Sequence, residues 1–245
     1  MDAFPVPLAT LREAEEKRCS KPLAGGYSDA LEWRNRVAVP EPYVFCVDVG
    51  SPTNIGWADS LGASGSACNL HTALQGLGER LRRGEPVALG FEAPIWTPRR
   101  VDICQITSAR GGVEREQRRA WSAGAGCGAL GAGLGLMPWC FAMVHTISGP
   151  VPATTNPDRF RTGEAPLFVW EAFVTAKAKG LTHHEDAAVA VAAFWSHWPE
   201  LRSDVPGEPA MNHAASALRV SGFTIAEDEL GTAPIVIAPA PREVR

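Results

Sequence analysis

The chain has 245 residues, of which 45% are hydrophobic and 20% are charged. This composition is too apolar for a disordered protein and too dispersed for a fibre, so we expect a folded protein with a sizeable core. The formal net charge of −4 excludes binding of polyanions through the overall field, and any nucleic-acid contact must come from a local basic patch.

Residues 1–40 are interrupted by several prolines and by Gly25-Gly26, which predicts an N-terminal extension lying on the main fold. The chain starts Met1-Asp2, with an acid where a signal peptide carries a base, and no apolar segment follows. The longest mostly apolar run, residues 134–147, is shorter than the roughly 20 residues of a membrane span. We therefore expect a cytoplasmic protein without membrane contact.

The core of the fold is predicted to begin at residue 43, with a continuous apolar run that leads into Asp48-Val49-Gly50. Such a run is typical of a central strand that is buried on both faces. An antiparallel strand at 54–59 and a weak third strand within 60–68 are expected next. The elements that follow alternate between helix and strand, and we expect them at 70–83, 87–94, 113–121, 166–171 and 183–198.

This order of elements predicts an α/β domain with a mixed sheet and helices on both faces. We assign residues 41–200 to this domain. Residues 201–245 are expected to pack on the same domain through a helix at 210–219 and a strand at 235–237.

Two further segments are predicted to be irregular or to pack closely. The glycine-rich residues 124–135 precede an apolar stretch at 137–147 and do not match a phosphate-binding loop, so we expect close helix packing or a mobile lid. Residues 150–164 are expected to form a surface loop.

Carboxylates end several of the predicted elements. Asp48, Glu92 and Glu171 each follow an apolar strand, and Glu185-Asp186 open the helix after the last of these strands. Strand ends and a helix N-terminus tend to converge at one edge of a mixed sheet, where ligands bind. Grouped anions are costly unless a divalent cation lies among them, and oxygen ligands favour Mg²⁺ or Mn²⁺. The pattern predicts a metal site suited to cleavage of phosphodiesters.

Other interpretations of these acids stay open. An acid at a strand end is often a soluble terminus, and helix capping explains Glu185 and Asp186 equally well. His183-His184 are candidates for contact with metal or substrate, or are capping groups. The 6 cysteines are scattered without CxxC spacing, which excludes a zinc site with sulfur ligands.

Four segments resemble motifs of a known superfamily. Residues 44–58 resemble the first hairpin of the RNase H-like superfamily, and residues 91–95 resemble a strand motif of a branch of predicted nucleases, domain of unknown function 429. Residues 170–173 and 184–194 are similar to a further strand motif and to the acidic helix of that branch. The likeness spans about residues 43–198 and follows the order of elements predicted above.

The resemblance implies an RNase H-like mixed five-stranded sheet with N- and C-terminal additions. It also implies that Asp48, Glu92 and Asp186 hold one or two Mg²⁺ ions, with Glu171 and Glu185 as further catalytic candidates. Where the family helix often carries a second aspartate, this chain has Val189.

Arginines are concentrated between residues 99 and 119. A guanidinium group binds phosphate through paired hydrogen bonds, so Arg110, Arg115, Arg118 and Arg119 are predicted to contact the substrate. The alternative is a solvated helix face with ion pairs to Glu114 and Glu116.

The expected function is metal-dependent hydrolysis of phosphodiesters in nucleic acid, with Mg²⁺ or Mn²⁺ as cofactor. One alternative is a nucleotide-binding phosphotransferase of the actin-like or sugar-kinase group, which also begins with an Asp-x-Gly hairpin; this sequence has no second copy of Asp48-Val49-Gly50. Another is a non-catalytic interaction module of the same fold, suggested by Val189. A homo-oligomer is compatible with the sequence.

Overall fold

The computed structural model describes residues 40–51, 53–175 and 178–240. The predicted N-terminal extension therefore lies outside the described residues, apart from Pro40, as do the last five residues of the C-terminal addition.

Nine strands form two sheets within the described residues. Their bounds are β1 Tyr43–Asp48, β2 Gly56–Asp59, β3 Ser64–Ser66, β4 Val87–Glu92, β5 Trp96–Pro98, β6 Ala153–Thr154, β7 Leu167–Ala172, β8 Ala210–Asn212 and β9 Val236–Ile237. The main sheet has seven strands in the order β3-β2-β1-β4-β7-β6, and β9 also pairs with β7. The small second sheet consists of β5 and β8.

The main sheet is mixed, as the sequence predicts. β2 runs antiparallel to both β1 and β3, whereas β1, β4, β7, β6 and β9 run parallel to one another. Parallel strands need long crossover connections, and the helices supply them. The helices are α1 Ala67–Arg82, α2 Gly112–Glu116, α3 Gly124–Ser148, α4 Pro157–Arg161, α5 His183–His197 and α6 His213–Val220.

The helices cover both faces of the sheet, which confirms the predicted α/β architecture. Phe45 and Val47 of β1 pack in one core cluster with α1, α3 and α6. Val44 and Cys46 pack in a second cluster with α5 and with Phe160 of α4. Because side chains alternate along a strand, the apolar run of β1 serves both clusters.

Helix α1 follows its sequence pattern closely. Leu70, Leu74, Leu77 and Leu81 recur at helical spacing, and all four are buried against the sheet. Close approach of α3 depends on Gly78, where a Cβ atom would lie 2.6 Å from the Cβ of Ile147.

The glycine-rich residues 124–135 are the first half of one continuous helix, α3, and not a separate segment. This helix of 25 residues is long and apolar enough to cross a membrane by length and composition alone, contrary to the expectation drawn from residues 134–147. Core helices of soluble proteins meet the same two criteria, and 28% of its most apolar 18-residue window is buried.

Two predictions for the later part of the chain are wrong. Residues 150–164 are not simply a surface loop, because they contain β6 and α4, and Thr155 is buried with its hydroxyl donating to Glu229. Residues 210–212 form a strand and not the start of a helix. The side chain of Asn212 accepts a hydrogen bond from the N–H of Ala215, and this cap makes the helix begin at His213.

Candidate active site

Asp48 and Glu92 end two neighbouring parallel strands at the same level of the sheet. Asp48 is the last residue of β1, Glu92 is the last residue of β4, and the strand register pairs them directly. Cys46 lies on the same side of β1 as Asp48, and Ala88 lies on the same side of β4 as Glu92, because even spacings along a strand share a face. Both Cys46 and Ala88 pack in the cluster that contains α5. The alternation of side chains therefore places both carboxyl groups on the face covered by α5.

The two carboxyl groups interact strongly. Burial, the hydrogen bond with Asp48 and the negative charge of Asp48 raise the pKa of Glu92 well above its usual value. The charge of Asp186 raises that pKa further, and the charge of Lys179 opposes the shift. Two acids this close cannot both ionise cheaply, so the pair favours either a bound proton or a nearby cation.

Asp186 reaches the same edge of the sheet from the first turn of α5. Its side chain is 6% exposed, and its Oδ1 accepts the N–H of Gly180 at 2.6 Å. Its Oδ2 accepts a hydrogen bond from Nζ of Lys179 at 3.2 Å. The charge of Asp186 contributes to the raised pKa of Glu92, so Asp186 lies near that carboxyl group.

Lys179 supplies a positive charge beside these acids. Burial alone lowers the pKa of Lys179, but the charges of Glu92, Asp186 and Asp48 outweigh it and raise that pKa above its usual value. The ammonium group is therefore charged at neutral pH. Sequence analysis missed Lys179, because a lysine in a connecting segment belongs to no motif.

His183 holds Asp48 from the other side. Its Nδ1 lies 2.6 Å from Oδ2 of Asp48. This contact depends on Gly56, the register partner of Asp48 on β2, because a Cβ there would lie 2.3 Å from the backbone carbonyl carbon of His183. A glycine inside a strand often marks a close approach of another backbone, and Gly56 could have been found by that signal.

The donor set suits a hard divalent cation, although its side chains are engaged with other groups. Within the described ranges, no group of three or more His, Cys, Asp or Glu side chains is arranged as a metal site. Asp48 contacts His183, and Asp186 contacts Lys179. The three acids nonetheless offer only oxygen atoms, which are the ligands that Mg²⁺ and Mn²⁺ prefer.

Glu171 belongs to a different cluster, and the prediction that it joins the catalytic acids needs correction. Its register partner on β4 is Phe91 and not Glu92, so its side chain extends to the opposite face of the sheet. Both of its carboxylate oxygens accept hydrogen bonds from Arg110, at 2.5 and 3.0 Å, and one also accepts the N–H of Ile95 at 3.0 Å. Burial raises the pKa of Glu171, and the charge of Arg110 acts against that shift.

Arg110 is likewise part of the core and not a free phosphate ligand. Its side chain is 1% exposed and forms a second ion pair with Glu114, with Nε 2.5 Å from Oε2. Its guanidinium carbon also lies 4.5 Å from the centre of the Trp96 ring. With its charge paired on both sides and its side chain buried, Arg110 has a structural role.

Glu185 forms a helix-capping contact, which was the alternative to a catalytic role for this residue. Its carboxylate accepts the N–H of Leu181 at 2.5 Å, and its own N–H is directed at the hydroxyl of Thr182, the N-cap residue of α5. These bonds fix the turn that carries Asp186 into the site.

A cleft of about 870 Å³ opens above the acidic edge, with Asp48 and Glu92 in its lining. Arg118 and Arg119 also line this cleft, are exposed, and form no salt bridge with a carboxylate of the described residues. Arg115 is exposed but does not line the cleft. Three of the four predicted arginines therefore line the cleft: Arg118 and Arg119 are exposed there, whereas Arg110 is buried in ion pairs.

The chain was compared with models of protein families, with curated proteins and with solved structures, and none of them matches it. Inference about function therefore rests on the arrangement of the acids, Lys179 and the two cleft arginines.

Proposed function

We propose that the chain is a metal-dependent nuclease with an RNase H-like domain, which hydrolyses phosphodiesters in nucleic acid. The main sheet has seven strands where the resemblance implies five, and the mixed order β3-β2-β1-β4-β7 within it supports the proposal. Asp48, Glu92 and Asp186 would hold Mg²⁺ or Mn²⁺.

One observation carries this proposal. Asp48 and Glu92 are register partners whose carboxyl groups interact closely enough to raise the pKa of Glu92, and Asp186 adds a third negative charge from α5. Such a concentration of buried acids destabilises a fold unless it serves a cation or a proton.

The protein's own residues would divide the work. His183 orients the carboxylate of Asp48, and Arg118 and Arg119 lie at the cleft where they can bind phosphate oxygens. Lys179 compensates the acids, and a cation bound at Asp186 would take the place of its ammonium group. When bound, the divalent cation supplies an activated water and stabilises charge on the leaving oxygen.

Titration calorimetry with Mn²⁺ tests the site. We expect the wild-type protein to bind Mn²⁺, the Asp48→Asn variant to bind it at least about tenfold more weakly, and the Glu200→Gln variant to bind it unchanged. Glu200 is exposed and does not line the cleft, so it is the matched control. No binding by the wild type, or equal binding by Asp48→Asn, would refute the metal site.

Cleavage assays then test the reaction. We expect Mn²⁺-dependent cleavage of at least one substrate in a panel of single-stranded, duplex, hybrid and branched nucleic acids, and loss of that cleavage in Asp48→Asn. Binding of Mn²⁺ without any cleavage would support a non-catalytic module. An increase in melting temperature with ATP and no cleavage would support a phosphotransferase.

A further inference from the structure

Two aromatic side chains, Trp121 and Phe173, line the cleft that contains the acidic edge. Both are partly exposed, and neither ring stacks on another aromatic ring of the described residues. Phe173 directly follows β7 and donates its N–H to the carbonyl of Ile237 at 2.9 Å. A flat ring fixed at the wall of a cleft offers a surface on which a planar ligand can stack.

Trp121 is held firmly in place. Its backbone N–H donates to Oε1 of Glu114 at 2.5 Å, and its indole N–H donates to the carbonyl of Ser108 at 3.3 Å. Glu114 is itself buried and paired with Arg110. The buried ion-pair cluster therefore positions the ring of Trp121 at the cleft.

The cleft arginines are on the same short segment as this ring. Arg118 and Arg119 precede Trp121 by three and two residues, in the connection between α2 and α3. The start of the segment is tied to the connection after β7, where the hydroxyl of Thr175 donates to the side chain of Gln117. A stacking surface and two cationic groups thus lie side by side, above an acidic edge.

The size of the cleft limits which ligands can bind there. A volume of about 870 Å³ is within the range of about 300 to 1,000 Å³ that is typical of small-ligand pockets. A small planar ligand therefore fits this space better than a bulky one does. The bases of a duplex are stacked inside it and expose only edges and backbone, so only an unpaired base can lie flat against Trp121.

We propose that the cleft binds unpaired nucleotides of single-stranded nucleic acid, with a base stacked on Trp121 and the adjacent phosphate at Arg118 and Arg119. Cationic grooves with aromatic stacking surfaces bind single strands in this way, with little dependence on sequence. The role of these nucleotides as substrate rests on the proposed nuclease function, whereas their binding in the cleft does not.

Binding is measured by fluorescence anisotropy in EDTA, with a labelled single-stranded 12-mer and the same strand in a duplex. We expect the single strand to bind at least about tenfold more tightly than the duplex. Trp121→Ala should weaken binding of the single strand about 5- to 150-fold, the range for loss of one stacking interaction. Trp139→Ala is the matched control, because Trp139 is 41% exposed on α3 and does not line the cleft.

Further variants separate stacking from misfolding. Trp121→Phe keeps a stacking ring and should retain most of the affinity. The pair Arg118→Ala and Arg119→Ala should weaken binding and reduce its dependence on salt, whereas Arg115→Ala should leave both unchanged. Equal or tighter binding of the duplex, or unchanged affinity in folded Trp121→Ala, would overturn the proposal. EDTA removes metal, so the anisotropy measurement does not depend on the Mn²⁺ site. A protein that binds no Mn²⁺ could still bind the single strand, and a protein that fails to bind the single strand could still bind Mn²⁺.

Discussion

Glu92 ends β4 and Glu171 is the penultimate residue of the neighbouring parallel strand β7, but they differ by one position in register, and their carboxyl groups extend to opposite faces of the sheet. Both residues line the cleft, but Glu92 lies beside Asp48, whereas Glu171 forms a buried ion pair with Arg110. The same type of residue at similar strand ends thus has a candidate functional role in one case and a structural role in the other.

The ion pair predicts a large loss of stability for Arg110→Met. This change leaves Glu171 and Glu114 buried without their cation, and removal of one partner of a buried pair costs about 3–5 kcal/mol. Urea unfolding measures the loss. Arg115→Met, at an exposed arginine of the same segment, should change the free energy of unfolding by less than about 0.5 kcal/mol. A similar loss in both variants would contradict the structural role of Arg110.

Glu92 should make stability fall as pH rises when no divalent cation is present. Its raised pKa means that the folded chain keeps a proton that the unfolded chain releases, so ionisation of Glu92 opposes folding above the usual glutamate pKa. The neighbouring charges that bear on it are Asp48, Asp186 and Lys179. In EDTA, Glu92→Gln should therefore match the wild type near pH 4 and become increasingly more stable than it as pH rises.

Thermal unfolding from about pH 4 to pH 9 provides the measurement, with Glu200→Gln as the control that should follow the wild type throughout. A difference between Glu92→Gln and the wild type that is constant with pH, or that shrinks as pH rises, would show that Glu92 is not held in its protonated form.

Removal of Lys179 should strengthen metal binding. The ammonium group contacts Asp186 and is attracted by Glu92, so it competes with any cation for the same carboxylates. We expect Lys179→Met to bind Mn²⁺ about tenfold more tightly, a change of about 1.4 kcal/mol. Arg202→Met removes an exposed cation that does not line the cleft and should leave the affinity unchanged. Weaker binding by Lys179→Met would instead make the lysine a supporting part of the site.

Gly56 should be intolerant of any side chain. A Cβ at this position meets the backbone of His183 and His184 at 2.3 Å, so Gly56→Ala must push α5 away from β1 and disturb the contact between His183 and Asp48. We expect a lower melting temperature and weaker Mn²⁺ binding. Gly76→Ala is the control, because Gly76 is exposed on α1 with open space around it, and alanine there should stabilise the helix by about 0.5–1 kcal/mol. A stable Gly56→Ala variant with normal Mn²⁺ affinity would exclude this positioning role.

The sequence by itself determined the elements that build the sheet and the position of the acids along the chain. The leucines of α1 repeat at helical spacing, the apolar runs of β1, β4 and β7 are central strands, and Asp48 and Glu92 end their strands as predicted. These features are local, because the periods of helix and strand depend on residues close in the chain.

Only the tertiary structure decided which acids meet and which are neutralised. The register of β7 against β4 turned Glu171 towards Arg110, and the close approach of α5 over Gly56 brought His183 and Asp186 to β1. Pairing register and helix packing are set by residues far apart in the chain, and a shift of one residue reverses the face on which a side chain lies. The acids of the candidate site could therefore be named from the sequence, but their partners could not.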